Sequence, residues 1–187
     1  MNDPELPIPT DLTESQIYND THFIFIQPPA AQLIVIGGVH IAQHLVPMAR
    51  RIGLDVTLID PRSTFANEAR FIDCNILVDW PETALKNLTL DAQTAMVTLT
   101  HDPKIDDDAL IPALNSDLFY IAALGSRRTH EKRTQRLSAA GCNADSIARI
   151  HAPAGLDIGS RNPADIAISI LAELIAIRNG KCQNDNR

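Results

Sequence analysis

Five short runs of apolar residues, many of them β-branched, occur at 33–36, 56–59, 76–78, 95–99 and 119–124, and segments of helical apolar spacing separate them. Strands joined through helices cannot pair as hairpins. Each crossover helix returns the chain so that the next strand runs parallel to the last, which predicts the α/β class with a mostly parallel sheet. The predicted helices cover 39–52, 106–114, 126–140 and a last one from 163 to 178. In the first, Ile41, Leu45, Met48 and Ile52 share a face, Gly53 supplies the stop, and Pro47 predicts a kink. The last has the plainest ends: Asn162 as N-cap, Pro163 at the first position, Asp165 in the first turn and Gly180 after Arg178. Its Ile166, Ile170, Leu174 and Ile177 are spaced to cover a sheet face. Residues 1–21 are polar and aperiodic and read as a tail; 22–29 read as a short edge strand closed by prolines; 181–187 read as a second tail. The domain expected is therefore 22–180.

With 187 residues, one core is expected, burying roughly 70% of the unfolded surface. A formal net charge of −7 sets the surface against phosphate backbones and anionic lipid, so neither nucleic acid nor a membrane is an expected partner, while a local basic cluster can still take a small anion. The start, MNDPELPIPTD, lacks the basic and apolar parts of a secretion signal, and no run approaches the ~20 apolar residues of a membrane span. A cytoplasmic location is expected. Cys74, Cys142 and Cys182 show no C-x-x-C spacing, so no metal site is expected and none of the three is given a role.

Four clusters follow predicted strands, where open α/β sheets place ligands. The first is Gly37-Gly38-Val39-His40, with Asp60 at the end of the next strand, 23 positions beyond Gly37. A glycine turn, a helix N-terminus for phosphate and an acid for ribose hydroxyls form the layout of a dinucleotide fold, so the sheet is expected to be Rossmann-like and doubly wound. Val39 stands where that layout has its second glycine, and its β-branched side chain is expected to impede a pyrophosphate there. His40 reads equally as a ligand contact or as a helix-start residue facing a neighbouring loop.

The second cluster is Asp60-Pro61-Arg62, in which Asp60 can accept from hydroxyls and Arg62 can hold phosphate, unless the two pair with each other. The third is Thr100-His101-Asp102-Pro103, suited to contacting a polar heterocycle, with a plain proline turn as the alternative. The fourth is Gly125-Ser126-Arg127-Arg128, where exposed amides and guanidinium groups gather at a helix start and make an anion site. Lys132, Arg133 and Arg136 beyond it read as a solvated basic face.

The segments LIVIGGVHIAQHL, VTLIDPR, VTLTHDPKIDDDAL, IAALGSRRTHEKR and GLDIGSRNPADIAISILAELIAIRNG, in this order, resemble the C-terminal Rossmann-like domain of the XdhC/CoxI xanthine dehydrogenase accessory proteins across 22–180. The resemblance implies an accessory or chaperone role in maturing molybdenum hydroxylases, with the molybdenum cofactor held, sulfurated and delivered to an apoenzyme. By similarity the cofactor-binding positions are Gly37, Gly38, His40, Asp60, Arg62, Thr100, His101, Asp102, Gly125, Ser126, Arg127 and Arg128. On this reading the chain is a nucleotide- or cofactor-binding accessory protein rather than an enzyme, its partners are a small anionic cofactor and a molybdenum hydroxylase apoenzyme, and a homodimer is compatible with it. The competing readings are an NAD(P)-dependent oxidoreductase, which lacks a visible substrate domain or a tyrosine-lysine acid, and a degenerate Rossmann module that binds only protein.

Overall fold

A computed structural model describes residues 16–18, 22–24 and 30–181. In chain order the elements are β1 (Gln16–Tyr18), β2 (His22–Ile24), β3 (Gln32–Ile36), α1 (His40–Arg51), β4 (Asp55–Ile59), β5 (Asn75–Leu77), α2 (Pro81–Ala84), β6 (Thr94–Thr98), α3 (Pro103–Leu114), β7 (Tyr120–Ala123), α4 (Arg127–Ala139), α5 (Ala144–Ala148), β8 (Ile150–His151) and α6 (Pro163–Arg178). Strands β3 to β8 form one sheet in the order β5-β4-β3-β6-β7-β8, and every pairing in it is parallel. The chain starts in the middle, winds outward through β4 and β5, then crosses back to β6, β7 and β8. This is the doubly wound Rossmann-like order, and its reversal falls between β3 and β6.

Period-two alternation sorts the strand residues onto two helical layers. Leu33 and Val35 of β3, with Val56, Leu58, Ala95, Val97, Tyr120 and Ala122, meet Ile41, Leu45, Ala49, Ile170 and Leu174 of α1 and α6. Ile34 and Ile36, with Ile59, Met96, Ile121 and Ala123, meet Ile105, Ala109, Leu110 and Leu137 of α3 and α4. Burial on both faces is what makes these strands continuous apolar runs rather than alternating ones.

Several boundaries differ from the sequence reading, each for an identifiable reason. Helix α3 starts at Pro103 rather than 106, because Asp102 caps it through Lys104 N at 3.0 Å, the same Asx-Pro arrangement that starts α6 at Asn162-Pro163. Helix α1 runs from His40 to Arg51 with Pro47 inside it, on its exposed side. Residues 22–24 do not edge the main sheet. They pair antiparallel with 16–18, inside the stretch read as a tail, in a separate two-stranded sheet. Residues 1–15, 19–21, 25–29 and 182–187 of the two predicted tails and the predicted edge strand lie outside the described residues. The short α2, α5 and β8 have too few residues to show a period, and the sequence reading has no counterpart for them.

One buried acid ties α6 to the sheet. Glu173, fully buried on α6, accepts from the Tyr120 hydroxyl at 2.7 Å and from the Gly155 amide at 2.9 Å, with His151 Nδ1 3.5 Å away. These contacts join β7, β8 and the loop before α6 in one polar node beneath the helix. Glu173→Leu, which keeps the bulk, strands a buried hydroxyl and an amide, and each such group costs about 1–3 kcal/mol. A loss of that order in the urea unfolding free energy is expected, with Tyr120→Phe costing less; an unchanged midpoint for Glu173→Leu refutes the node.

Candidate functional site

Because the strands are parallel, their carboxyl ends open on one edge, and all four sequence clusters fall there. At β3, Gly37 takes φ 105° and donates its amide to Ile59 O at 2.8 Å. A Cβ on Gly37 would lie 2.5 Å from the Thr100 methyl, and one on Gly38 would overlap the Phe65 carbonyl. Both glycines are thus required by the loops that close over the turn. Val39 is the N-cap residue of α1 at φ −78°, with its side chain against the core. At that φ Val39 carries no left-handed backbone restriction. His40 is exposed at the first turn of α1.

Asp60 is fully buried and its oxygens are spoken for. It accepts from the Gly38 amide at 2.9 Å, from the Arg62 amide at 3.0 Å, and from Arg62 Nε and Nη2 at 2.8 Å each. The guanidinium of Arg62 also lies over the Phe65 ring, 4.2 Å from its centroid. Of the two readings of this cluster, the structure shows the mutual pair. Asp60 fastens the glycine turn and holds Arg62.

At β6 the loop is organised by an acid that the sequence reading places only as a helix residue. Asp106 is buried on the first turns of α3 and accepts from Thr100 Oγ1 at 2.7 Å, Thr100 N at 3.3 Å and His101 N at 3.1 Å. These bonds hold His101 at φ 63°, a left-handed conformation uncommon for a non-glycine residue. The His101 side chain is exposed. Asp102 caps α3 and gives its own amide to Thr100 Oγ1 at 3.0 Å, so the pair His101-Asp102 divides into a residue that lines a cavity and a cap.

At β7, Gly125 lies at φ 134° and Ser126 caps α4 by accepting from Thr129 N at 3.2 Å. The two arginines of the turn part company. Arg128 faces a cavity of about 520 Å³, whose other walls are His101, Pro103, Asp106, Thr129, Lys132, Arg133 and Arg136; Arg127 is exposed and does not line it.

Arg133 overturns the expectation of a solvated face. Its side chain is only 2% exposed. Nη2 donates to Leu124 O at 2.9 Å and stands 4.0 Å from Asp106, while Nε and Nη1 are buried with no hydrogen-bond partner among the described residues. Burial pushes its pKa down, against the pull of Asp106 and Asp107, and pushes that of Asp106 up against its hydrogen bonds and the charge of Arg133. Arg136 is half-exposed and fixed by Asp107, with Nη2 to Oδ1 at 3.0 Å. The helical spacing of 128, 129, 132, 133 and 136 is the signal that places them on one face, and the predicted helix contains it.

A larger concavity, about 730 Å³, lies at the opposite edge between the end of α1 and the starts of β3 to β5. It includes Arg50, paired with Asp55 at 3.0 Å, and Cys74, whose thiol pKa burial raises. The carboxyl edge, with the glycine turn and the reversal of strand order, is the better candidate site. Among the described residues no cluster of three or more His, Cys, Asp or Glu is placed to hold a metal ion, and no helix is long and apolar enough to cross a membrane.

The profile of the XdhC Rossmann domain matches residues 33–174, which is most of the chain and contains every cluster of this edge. The chain belongs to the XdhC Rossmann-domain family. It is 36% identical over 89 residues to the molybdenum cofactor insertion chaperone PaoD of Escherichia coli (strain K12), covering 48% of this chain and 28% of that protein. It is 30% identical over 164 residues to a probable xanthine dehydrogenase subunit of Bacillus subtilis (strain 168), covering 86% and 48%. A crystal structure described as a xanthine dehydrogenase from Bacillus halodurans superposes with a TM-score of 0.71 at 30% identity, covering 84% of this chain and 45% of that one. The chain thus spans half or less of the XdhC-type relatives it matches.

The Asp60 bonds make the glycine turn of this XdhC-type domain sensitive to acid. Burial acts to raise the Asp60 pKa, but the hydrogen bonds from Arg62 and Gly38 and the charge of Arg62 outweigh it and hold the carboxyl below its ordinary 3.8. A carboxylate lowered in the folded state contributes stability that is complete above its unfolded pKa and is lost as pH falls through the folded one. Asp60→Asn is therefore expected to destabilise the protein at neutral pH, with the gap to wild type closing below pH 3.8. Urea midpoints across that range check this, and a gap independent of pH counts against it.

Proposed function

We propose that this domain binds the molybdenum cofactor, of molybdopterin type, and serves as an accessory protein in maturing molybdenum hydroxylases of the xanthine dehydrogenase kind. The observation that carries the reading is the similarity to a molybdenum cofactor insertion chaperone within a domain whose carboxyl edge holds a cationic cavity. Four cations line that cavity in a chain of net charge −7, against the carboxylates of Asp106 and Asp107. Molybdopterin carries a phosphate on a polar heterocycle, and a cavity of about 520 Å³ falls within the roughly 300–1,000 Å³ of small-molecule sites.

The residues present fit such a group. Gly37, Gly38 and Thr100 bring backbone close at the reversal of strand order; His101 and Arg128 line the cavity; Gly125 and Ser126 form the turn and cap that start the helix carrying Arg128; Asp60, Arg62 and Asp102 hold the loops in place. The cofactor's own molybdenum chemistry is expressed in the client enzyme, and the domain's part is to bind, orient and shield. The partner on this reading is the apo form of a molybdenum hydroxylase.

The test uses the purified chain and molybdenum cofactor released from a donor molybdoenzyme. Near-stoichiometric molybdenum co-eluting with the chain on gel filtration, and recovery of activity when the loaded chain meets an apo xanthine dehydrogenase, are the expected results. Molybdenum that elutes apart from the chain, with recovery no better than in a chain-free control, overturns the reading.

A further inference from the structure

The buried Arg133 poses a physical problem that the fold itself does not solve. A guanidinium has five N–H donors and stays charged in proteins, and burying such donors without acceptors costs free energy for each. Here only Nη2 is used, by Leu124 O, and that bond fixes the plane of the group. Nε and Nη1 remain unmatched and buried, in a residue that lines the cavity between α3 and α4. Buried unsatisfied donors are rare in native proteins and call for a water, an ion or a ligand.

The charges around them have a definite balance. Asp106 stands 4.0 Å from Arg133, and both its oxygens already accept from Thr100 and His101. Asp107 neutralises Arg136 through two hydrogen bonds. Arg128 and Lys132, one turn apart on the same face of α4, have no carboxylate within salt-bridge distance among the described residues. The cavity is therefore lined by two uncompensated cations and by a buried arginine with two unmatched guanidinium nitrogens. A phosphate group carries close to two negative charges at neutral pH and offers several acceptor oxygens.

We infer that this cavity is a phosphate subsite, with the guanidinium of Arg133 as its fixed floor and Arg128 and Lys132 as its rim. Resting on the proposed function, the inference names which part of the ligand α4 takes: the phosphate end, leaving the ring system toward His101 and the glycine turn. A planar guanidinium locked on one side by a carbonyl presents its remaining N–H groups in a set direction, which suits tetrahedral oxyanions better than a mobile lysine does. A phosphate monoester and a diphosphate linkage share this chemistry, so both are probed.

Calorimetric titration of the full chain with inorganic phosphate and with pyrophosphate tests it without any molybdenum cofactor. Binding of at least one probe is expected. Arg128→Ala combined with Lys132→Ala, both exposed rim positions, should raise its Kd at least about tenfold, the worth of one charge-assisted hydrogen bond. Arg133→Met should abolish it. Should that variant fail to fold by circular dichroism, the rim variant and a crystal soaked in pyrophosphate decide, the anion being expected within hydrogen-bond distance of Arg133 Nε. Tighter binding of pyrophosphate points to a diphosphate ligand, and equal binding to a monoester. No binding of either probe overturns the inference, as does binding that survives the rim variant but is lost in Arg51→Ala, at the opposite edge. Cofactor transfer that persists when both probes fail leaves the proposed function standing without this subsite, whereas probe binding without transfer leaves the subsite standing without that function.

Discussion

Everything at the candidate site depends on β3 lying between β4 and β6 and running parallel to both. That pairing puts Gly37, Asp60 and Thr100 at the ends of three neighbouring strands, within reach of one another. The crossovers leave β3 in opposite directions, so the strand order reverses between β3 and β6. The cavity lined by α3 and α4 opens beside this reversal. A change in register on either side of β3 would separate the glycine turn from Thr100, whose methyl it nearly touches.

Two buried carboxylates translate this alignment into loop geometry, by the same physics. Asp60 gathers the Gly38 amide and Arg62; Asp106 gathers Thr100, His101 and, at longer range, Arg133. A buried charge is tolerated only when hydrogen bonds and opposite charge replace its hydration, so each acid recruits donors from the loops around it. They differ in outcome. At Asp60 the donors prevail over burial and the carboxyl is held below its ordinary range, while at Asp106 burial prevails and the carboxyl is raised. The first fastens the glycine turn, and the second holds His101 in a left-handed conformation beside the cavity.

The strands, the major helices and the edge on which the site lies are legible in the sequence because they rest on local signals: apolar period, helix caps and glycine at a turn. The last helix, with Asn162, Pro163 and Arg178, is the clearest case. The same cap at Asp102-Pro103 is legible too, but it competes with a reading of Asp102 as a ligand residue, which sets the helix start three residues late and hides the inward placement of Asp106. The division of labour within the clusters is less legible. Nothing in the spacing of Asp60 and Arg62 distinguishes a pair that binds a ligand from a pair that binds itself.

By itself the sequence determined an α/β chain with parallel strands, a glycine turn that only glycine can make, and a basic helix following β7, because each of these follows from neighbours along the chain. Which of the basic residues is buried was decided only by tertiary structure. Arg133 and Lys132 are adjacent and chemically alike in sequence, yet α4 packs against α3 at an angle that turns one beneath Leu124 O and leaves the other at the rim. Leu137, one turn beyond Arg133 on the same face of α4, enters the core with Ile105 and Leu110 of α3, and it is this packing against a segment far back in the chain that buries the face.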